Sequence, residues 1–99
     1  MIIIYVTCKD KEEAEKIGRA LVDDKLVACA NFFPITSIFF WEGDLEKGNE
    51  IILLLKSRGK NWEIIQNKVK ELHSYDTPCI IKIKAEANSE YEKWVKQNC

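Results

Sequence analysis

The sequence contains one histidine, His73, and four cysteines, and these side chains are the best suited to nucleophilic or metal chemistry. Covalent catalysis by a cysteine–histidine pair would have to use His73, whose position in a predicted loop indicates an accessible ring. The nearest cysteine along the chain is Cys79. No glycine-rich turn or anion-binding loop lies beside any cysteine, so the sequence gives no support to an activated nucleophile. We therefore expect that the protein is not an enzyme.

The same side chains are the ones that a transition-metal ion would select, since imidazole and thiolate together suit copper or zinc. Structural zinc sites use four ligands with closely spaced pairs, and no two of the cysteines, at positions 8, 29, 79 and 99, are near each other in sequence. Two interpretations of His73 stay open. It binds a metal weakly with a cysteine and a carboxylate, within or between subunits, or it hydrogen-bonds a backbone carbonyl or a carboxylate.

A further group of polar or aromatic residues lies at predicted strand ends and in the loop of His73: Glu50, Lys56, Tyr75, Asp76, Cys29 and Trp41. Charged residues at strand ends are usually just solvated. If these groups met across a subunit boundary, they would instead form a small polar cleft of the kind that binds ligands.

Hydrophobic patterning predicts the elements that hold these residues. Strands are predicted at residues 2–8, 26–32, 35–41, 50–56 and 79–85, and helices at 11–24, at 59–72 and, in a short C-terminal segment, from a capping box of Ser89 and Glu92 onward. Pro34 is expected to mark a bulge or a sheet edge. Residues 42–44 and 48–49 are expected to form turns.

The order of these elements matches a known architecture once the second and third strands are taken as one long bent strand or hairpin. The chain is then β-α-β-β-α-β with a helical tail, which is the ferredoxin-like split βαβ pattern. This is an α+β fold with an antiparallel sheet and both main helices on one face. With 99 residues, the chain has the size of a single domain, residues 1–99.

Three predicted strands are apolar on both faces, although a sheet covered by helices on one side should alternate apolar and polar residues. These segments are 2–6, 38–41 and 51–55, whereas only 79–85 alternates. Each large apolar side chain left in water loses roughly 1.5–3 kcal/mol of favourable burial free energy. Because the short C-terminal helix cannot cover three strands, we predict that another subunit covers the open face.

Composition and charge exclude several classes of partner. The net charge of −1, from 15 basic and 16 acidic residues, gives no electrostatic reason to bind nucleic acid or an anionic membrane. The longest apolar run, residues 1–6, is far below the ~20 residues of a membrane helix. The N-terminus lacks the basic leader of a signal peptide, so we expect a cytoplasmic protein with reduced cysteines.

Four segments, in their order and spacing, resemble a known family. They are LVACAN at 26–31, FWEG at 40–43 followed by Glu50 and Lys56, HSYDTP at 73–78, and Tyr91 with Trp94. The series resembles the CutA divalent-cation-tolerance proteins over essentially the whole chain. The resemblance implies a ferredoxin-like subunit in a compact homotrimer, with strands paired across subunits, and an association with tolerance to copper and other divalent cations.

The resemblance also implies where ligands would bind. In some bacterial members the copper ligands are a first-strand cysteine and a histidine doublet. The matching positions here are Val6, Leu72 and His73, so His73 alone is retained. The family's intersubunit cleft would comprise Cys29, Trp41, Lys56, His73, Tyr75, Asp76 and Glu90.

We expect a metal-response protein that acts as a homotrimer and binds copper or another divalent cation weakly at an intersubunit cleft. The fold and trimer also resemble nitrogen-regulatory signalling proteins, so a trimer that binds an unidentified small signalling ligand is an alternative function. A weak hydrolase that uses the surroundings of Cys29 or His73 is a second alternative.

Overall fold

The computed structural model describes residues 1–99 and consists of four strands and three helices. Their order along the chain is β1 (Ile2–Cys8), α1 (Lys11–Asp23), β2 (Cys29–Trp41), β3 (Asp44–Ser57), α2 (Trp62–Leu72), β4 (Ile80–Lys84) and α3 (Ser89–Asn98). The strands form one sheet in the order β2-β3-β1-β4, and every neighbouring pair is antiparallel. The predicted ferredoxin-like split βαβ fold is thus confirmed. None of the helices is long and apolar enough to cross a bilayer.

The β2–β3 hairpin is longer than the sequence pattern predicted. β2 runs without a break through Pro34, which an edge strand tolerates because one of its sides has no neighbouring strand. The register is continuous from one end to the other, so Pro34 marks an edge and not a bulge. The two strands are joined by Glu42 and Gly43, whose φ angles of 51° and 86° are both positive. Positive φ at both turn residues suits a tight hairpin turn between twisted strands.

Two local predictions were wrong. Gly48 and Asn49 form no turn but lie within β3, where they pair with residues 37 and 36 of β2. The predicted capping box of α3 is also absent, since Asn88 occupies the N-cap position and makes no side-chain capping bond. The Glu92 carboxylate instead accepts the backbone N–H of Ala87 at 3.3 Å.

The core lies between the sheet and the two longer helices, and it is built from side chains that are fully buried: Ile4, Val6, Leu53, Leu55, Ile17, Leu21, Ile65 and Val69. α1 lies very close to the hairpin, because a Cβ atom on Gly18 would come within 3.1 Å of both Leu53 Cδ1 and Phe32 Cζ. A side chain at this position would require the neighbouring side chains to move by a few tenths of an ångström.

The opposite face of the sheet is largely uncovered and apolar. Ile81 and Ile83 of β4 are 47% and 46% exposed there, and Phe33 of β2 is 41% exposed. The lysines of β4 point to the helical side, where Lys82 Nζ lies 5.4 Å from the centre of the Trp62 ring. β4 therefore alternates as predicted, but with its apolar residues on the face that the helices leave open.

The far half of the hairpin extends beyond the rest of the sheet. The last residue of β1, Cys8, pairs with Ile51, so residues 35–50 have no third strand beside them; we call this segment the arm. Its large apolar side chains are exposed: Ile38 67%, Phe39 45%, Phe40 74%, Trp41 60% and Leu45 66%. An isolated two-stranded hairpin is at best marginally stable in water, and one subunit leaves these apolar side chains of the arm exposed.

Candidate functional site

The His73 ring is buried and fully hydrogen-bonded, although the sequence had indicated an accessible ring. Its side chain has no exposed surface. Nδ1 accepts the backbone N–H of Tyr75 at 3.0 Å, and Nε2 lies 2.8 Å from the carbonyl oxygen of Thr7. Because a carbonyl only accepts, the neutral ring must carry its proton on Nε2 and donate it to Thr7. The structure contains the hydrogen bond from His73 to a backbone carbonyl, and metal binding by His73 stays a prediction.

Glu13 joins the start of α1 to the loop that follows α2. Its backbone N–H is capped by Asp10 Oδ1 at 2.8 Å, while its carboxylate accepts the N–H groups of Lys9 at 3.0 Å and Ser74 at 2.9 Å. Burial acts to raise the pKa of Glu13, but these hydrogen bonds and the nearby His73 outweigh burial and lower the pKa below its usual value of 4.5. The carboxylate is therefore held in its charged form.

Cys8 completes a buried cluster with these two side chains. The Cys8 sulfur, a Glu13 carboxylate oxygen and a His73 ring nitrogen all lie within 4.8 Å of one another; we call these three residues the interior cluster. Burial, and then the negative charges of Glu13, Asp10 and Glu50, raise the pKa of the Cys8 thiol to about 12. Sulfur, nitrogen and oxygen donors together fit a zinc-like ion. A metal would have to displace the thiol proton and the hydrogen bonds of the ring.

Tyr75 connects the loop to the base of the arm. Its hydroxyl donates to Glu50 Oε2 at 2.8 Å, and its ring centre lies 4.9 Å from that of His73. Burial and the hydrogen bond to the Glu50 carboxylate raise the pKa of Tyr75 above its usual range. Asp76, the other predicted cleft residue of this loop, is exposed.

Cys29 and Lys56 form a separate polar cluster on the open face of the sheet. Lys56 Nζ donates to Asn31 Oδ1 at 2.7 Å, and the Cys29 thiol donates to the same oxygen at 3.6 Å. Lys56 Nζ also lies 5.8 Å from the centre of the Tyr91 ring on α3. Glu90, the residue before Tyr91, is exposed and bonds to Asn88. Asn31 was not among the cleft residues predicted from sequence. It lies two residues after Cys29 on β2, so both side chains are on the same face of the sheet.

One subunit does not bring the predicted cleft together. Glu50 beside Tyr75 and Lys56 beside Cys29 are six residues apart on β3, which corresponds to about 20 Å at ~3.4 Å per residue. Trp41 lies farther away still, at the tip of the arm. The predicted residues therefore form two groups at opposite ends of the sheet, with Trp41 apart from both, and they can meet only between subunits.

A polar cleft of about 540 Å³ opens at the base of the arm. Lys9 and Lys11 at the start of α1 line one side, and Thr36, Asn49 and Glu50 of the arm line the other. Its volume lies within the roughly 300–1,000 Å³ of small-ligand sites. The cleft carries charges of both signs, close to the Tyr75–Glu50 hydrogen bond.

Comparison with known proteins identifies relatives of the whole chain. The CutA from Pyrococcus horikoshii, a divalent-cation tolerance protein, is 42% identical over 96 residues, covering 96% of this chain and 94% of the relative. The CutA from Archaeoglobus fulgidus is 41% identical over 95 residues, covering 95% of this chain and 93% of the relative.

Solved structures give the same result. The crystal structure of CutA1 from Pyrococcus horikoshii superimposes with a TM-score of 0.95 at 39% identity, covering 99% of this chain and 97% of that one. A PII-like protein CutA from Nostoc superimposes with a TM-score of 0.91 at 31% identity, covering 99% of this chain and 96% of that one. The sequence model of the CutA1 divalent ion tolerance protein family matches residues 2–98 of this chain. The chain therefore belongs to the CutA1 family of divalent ion tolerance proteins.

Proposed function

We propose that the protein acts as a homotrimer in the response to divalent cations and binds copper or another divalent cation weakly, with His73 as one ligand. The family name supports the association with cations. The main observation in support of a homotrimer is the arm, a two-stranded hairpin with five exposed large apolar side chains. Together with the apolar open face of the sheet, the arm offers surface that copies of the same chain would bury.

Assembly is tested by light scattering at micromolar concentration. The expected mass is about three times the subunit mass of 11.5 kDa, and it should stay constant on dilution. A mass equal to one subunit would refute the proposal. A dimer would preserve the burial argument and contradict the trimer.

Weak cation binding follows from the hydrogen bonds that the ligands already make. A metal at His73 must replace the bonds to Thr7 and Tyr75, and each such bond contributes about 0.5–1.5 kcal/mol. Calorimetry with Cu²⁺ is expected to show weak binding in the wild type and none in His73→Ala. Glu71→Ala, an exposed change two residues before His73, is the matched control and should bind like the wild type.

The other results of that titration decide between functions. Equal affinity in His73→Ala would exclude His73 as a ligand. If the wild type showed no heat of Cu²⁺ binding, the result would favour the small-ligand signalling trimer. Two observations support that alternative: the cleft at the base of the arm and the similarity to a PII-like protein. Hydrolytic turnover that disappears in Cys29→Ala would favour the weak hydrolase.

We further propose a cytoplasmic location. All four cysteines are free, which fits a reducing compartment. Cell fractionation tests this proposal, and recovery of the protein in a membrane or exported fraction would contradict it.

A further inference from the structure

The cleft at the base of the arm presents opposite charges on its two sides. Lys9 and Lys11, at the start of α1, supply positive charge on one side, and Glu50 of β3 supplies negative charge on the other. Pro34 and Ile51, which pair across the two strands of the hairpin, add apolar surface to the lining. The cleft therefore offers a cationic side, an anionic side and hydrocarbon surface to one small molecule.

The charged side chains of the cleft keep bonding capacity that the subunit does not use. Lys9 takes part in none of the ion pairs of the subunit. Lys11 makes only an exposed pair with Glu15, at 3.9 Å. Glu50 accepts the Tyr75 hydroxyl through Oε2, which leaves its other carboxylate oxygen free. Both sides of the cleft can thus take a charged partner.

The remaining polar side chains of the cleft add hydrogen-bond donors beside Glu50. The Thr36 hydroxyl donates to Asn49 Oδ1 at 3.4 Å, so the two N–H groups of the Asn49 amide stay free to donate. Asp10, the second carboxylate of the cleft, caps α1 through Oδ1, and the positive end of the helix dipole compensates its charge. The lysines therefore keep their attraction for an anionic group.

We propose that this cleft binds a zwitterion of dipeptide size, with its carboxylate on Lys9 and Lys11 and its ammonium group on Glu50. The inference rests on the small-ligand alternative to cation binding, and it assigns that alternative a site and a class of ligand. None of the residues that line the cleft belongs to the intersubunit cleft implied by the family resemblance. The proposed site is therefore a separate one.

The charge distribution favours a zwitterion over ligands that carry charge of one sign. A phosphate-like anion would bring like charge close to Glu50, and a cation would bring like charge close to the two lysines. Contacts between like charges cost binding free energy and select against such ligands. The volume of about 540 Å³ lies within the range of small-ligand sites, and a single inorganic ion would leave most of it to water.

A ligand in this cleft would connect the arm to the body of the subunit. The third strand ends where Cys8 pairs with Ile51, and Thr36, Asn49 and Glu50 lie beyond this point on the arm. The lysines on the other side belong to the start of α1. Binding is therefore expected to order the base of the arm, which carries the apolar surface of the proposed trimer contact.

The first test is an NMR titration of the full-length protein with the dipeptide L-alanyl-L-alanine, with EDTA present to remove metal ions. Shifts of the backbone amides at residues 9–11, 36 and 49–50 are expected, with a Kd in the millimolar range. The N-acetylated dipeptide lacks the ammonium group and the dipeptide amide lacks the carboxylate, so each should bind about two- to fivefold more weakly. If either blocked form binds as tightly as the zwitterion, the proposal is wrong.

The second test pairs each blocked ligand with the side chain that it no longer needs. Lys9→Gln should weaken the dipeptide about two- to fivefold but should not weaken the dipeptide amide. Glu50→Gln keeps an acceptor for the Tyr75 hydroxyl, and it should weaken the dipeptide but not the N-acetylated form. Additive losses would overturn the assigned contacts. Lys70→Gln and Glu63→Gln, exposed changes on α2, are the matched controls.

Hydrogen exchange in the wild type tests the effect on the arm. The amides at residues 36 and 49 should exchange more slowly with the dipeptide present, and unchanged exchange would overturn the ordering of the arm. Amide shifts confined to the surroundings of Lys56, or no shifts at all, would overturn the site. Binding of inorganic phosphate without binding of the dipeptide would reject the zwitterion and keep a small-ligand site. None of these results bears on Cu²⁺ binding, which calorimetry measures separately.

Discussion

Trp41→Asp is expected to convert the proposed trimer into monomers that unfold at a lower urea concentration. Trp41 is 60% exposed at the tip of the arm, so an aspartate there costs little in an isolated subunit. In the assembly the same position is expected to be buried, where an unpaired carboxylate costs several kcal/mol. The substitution therefore acts on assembly far more than on the fold of one subunit.

Light scattering and urea unfolding at one fixed protomer concentration measure this effect, because the stability of an oligomer depends on concentration. Trp41→Phe should remain a trimer, since it keeps an aromatic side chain. Val22→Asp places the same charge on an exposed apolar position of α1 and should also remain a trimer. If Trp41→Asp is as stable and as large as the wild type, the arm tip does not lie in the interface.

The predictions that succeeded depend on local or periodic patterns. Helix α1, predicted from its apolar spacing at residues 11–24, is found at Lys11–Asp23. The unusual apolar character of the strands correctly indicated a sheet face that the helices do not cover. The hairpin length was missed because Pro34 and the Gly48–Asn49 pair resemble breaks, and their effect depends on whether the strand is at an edge.

The geometry of the candidate site depends on contacts between residues that are far apart in sequence, and no local sequence pattern predicts them. The His73–Thr7 bond joins residues 66 positions apart, and the Glu13–Ser74 bond joins residues 61 apart. A histidine after a helix is as compatible with a solvent-exposed ring as with a buried one, so the sequence left both interpretations open. The number of residues between Glu50 and Lys56 on β3 can be counted in the sequence. It implies that these two side chains could line one cleft only if that cleft formed between subunits.

Glu13→Ala is expected to be the most destabilising removal of a charged side chain from α1. It leaves the N–H groups of Lys9 and Ser74, both in exposed residues, without their carboxylate acceptor, and each such hydrogen bond contributes about 0.5–1.5 kcal/mol. A loss of about 1–3 kcal/mol in the free energy of unfolding follows from the two hydrogen bonds. Glu12→Ala, at the exposed neighbouring position, should change stability by no more than about 0.5 kcal/mol.

The pH dependence separates the charged carboxylate from simple packing. The pKa of Glu13 is lower in the folded protein than its usual value of 4.5, so the unfolded chain takes up the proton first as the pH falls. The contribution of Glu13 is thus complete well above pH 4.5 and decreases as the pH drops through that value toward the folded pKa. The stability difference between wild type and Glu13→Ala, measured by urea unfolding, should shrink between about pH 7 and about pH 3. A difference that stays constant over this range would mean that the side chain acts by filling space, and that its charge does not hold the loop.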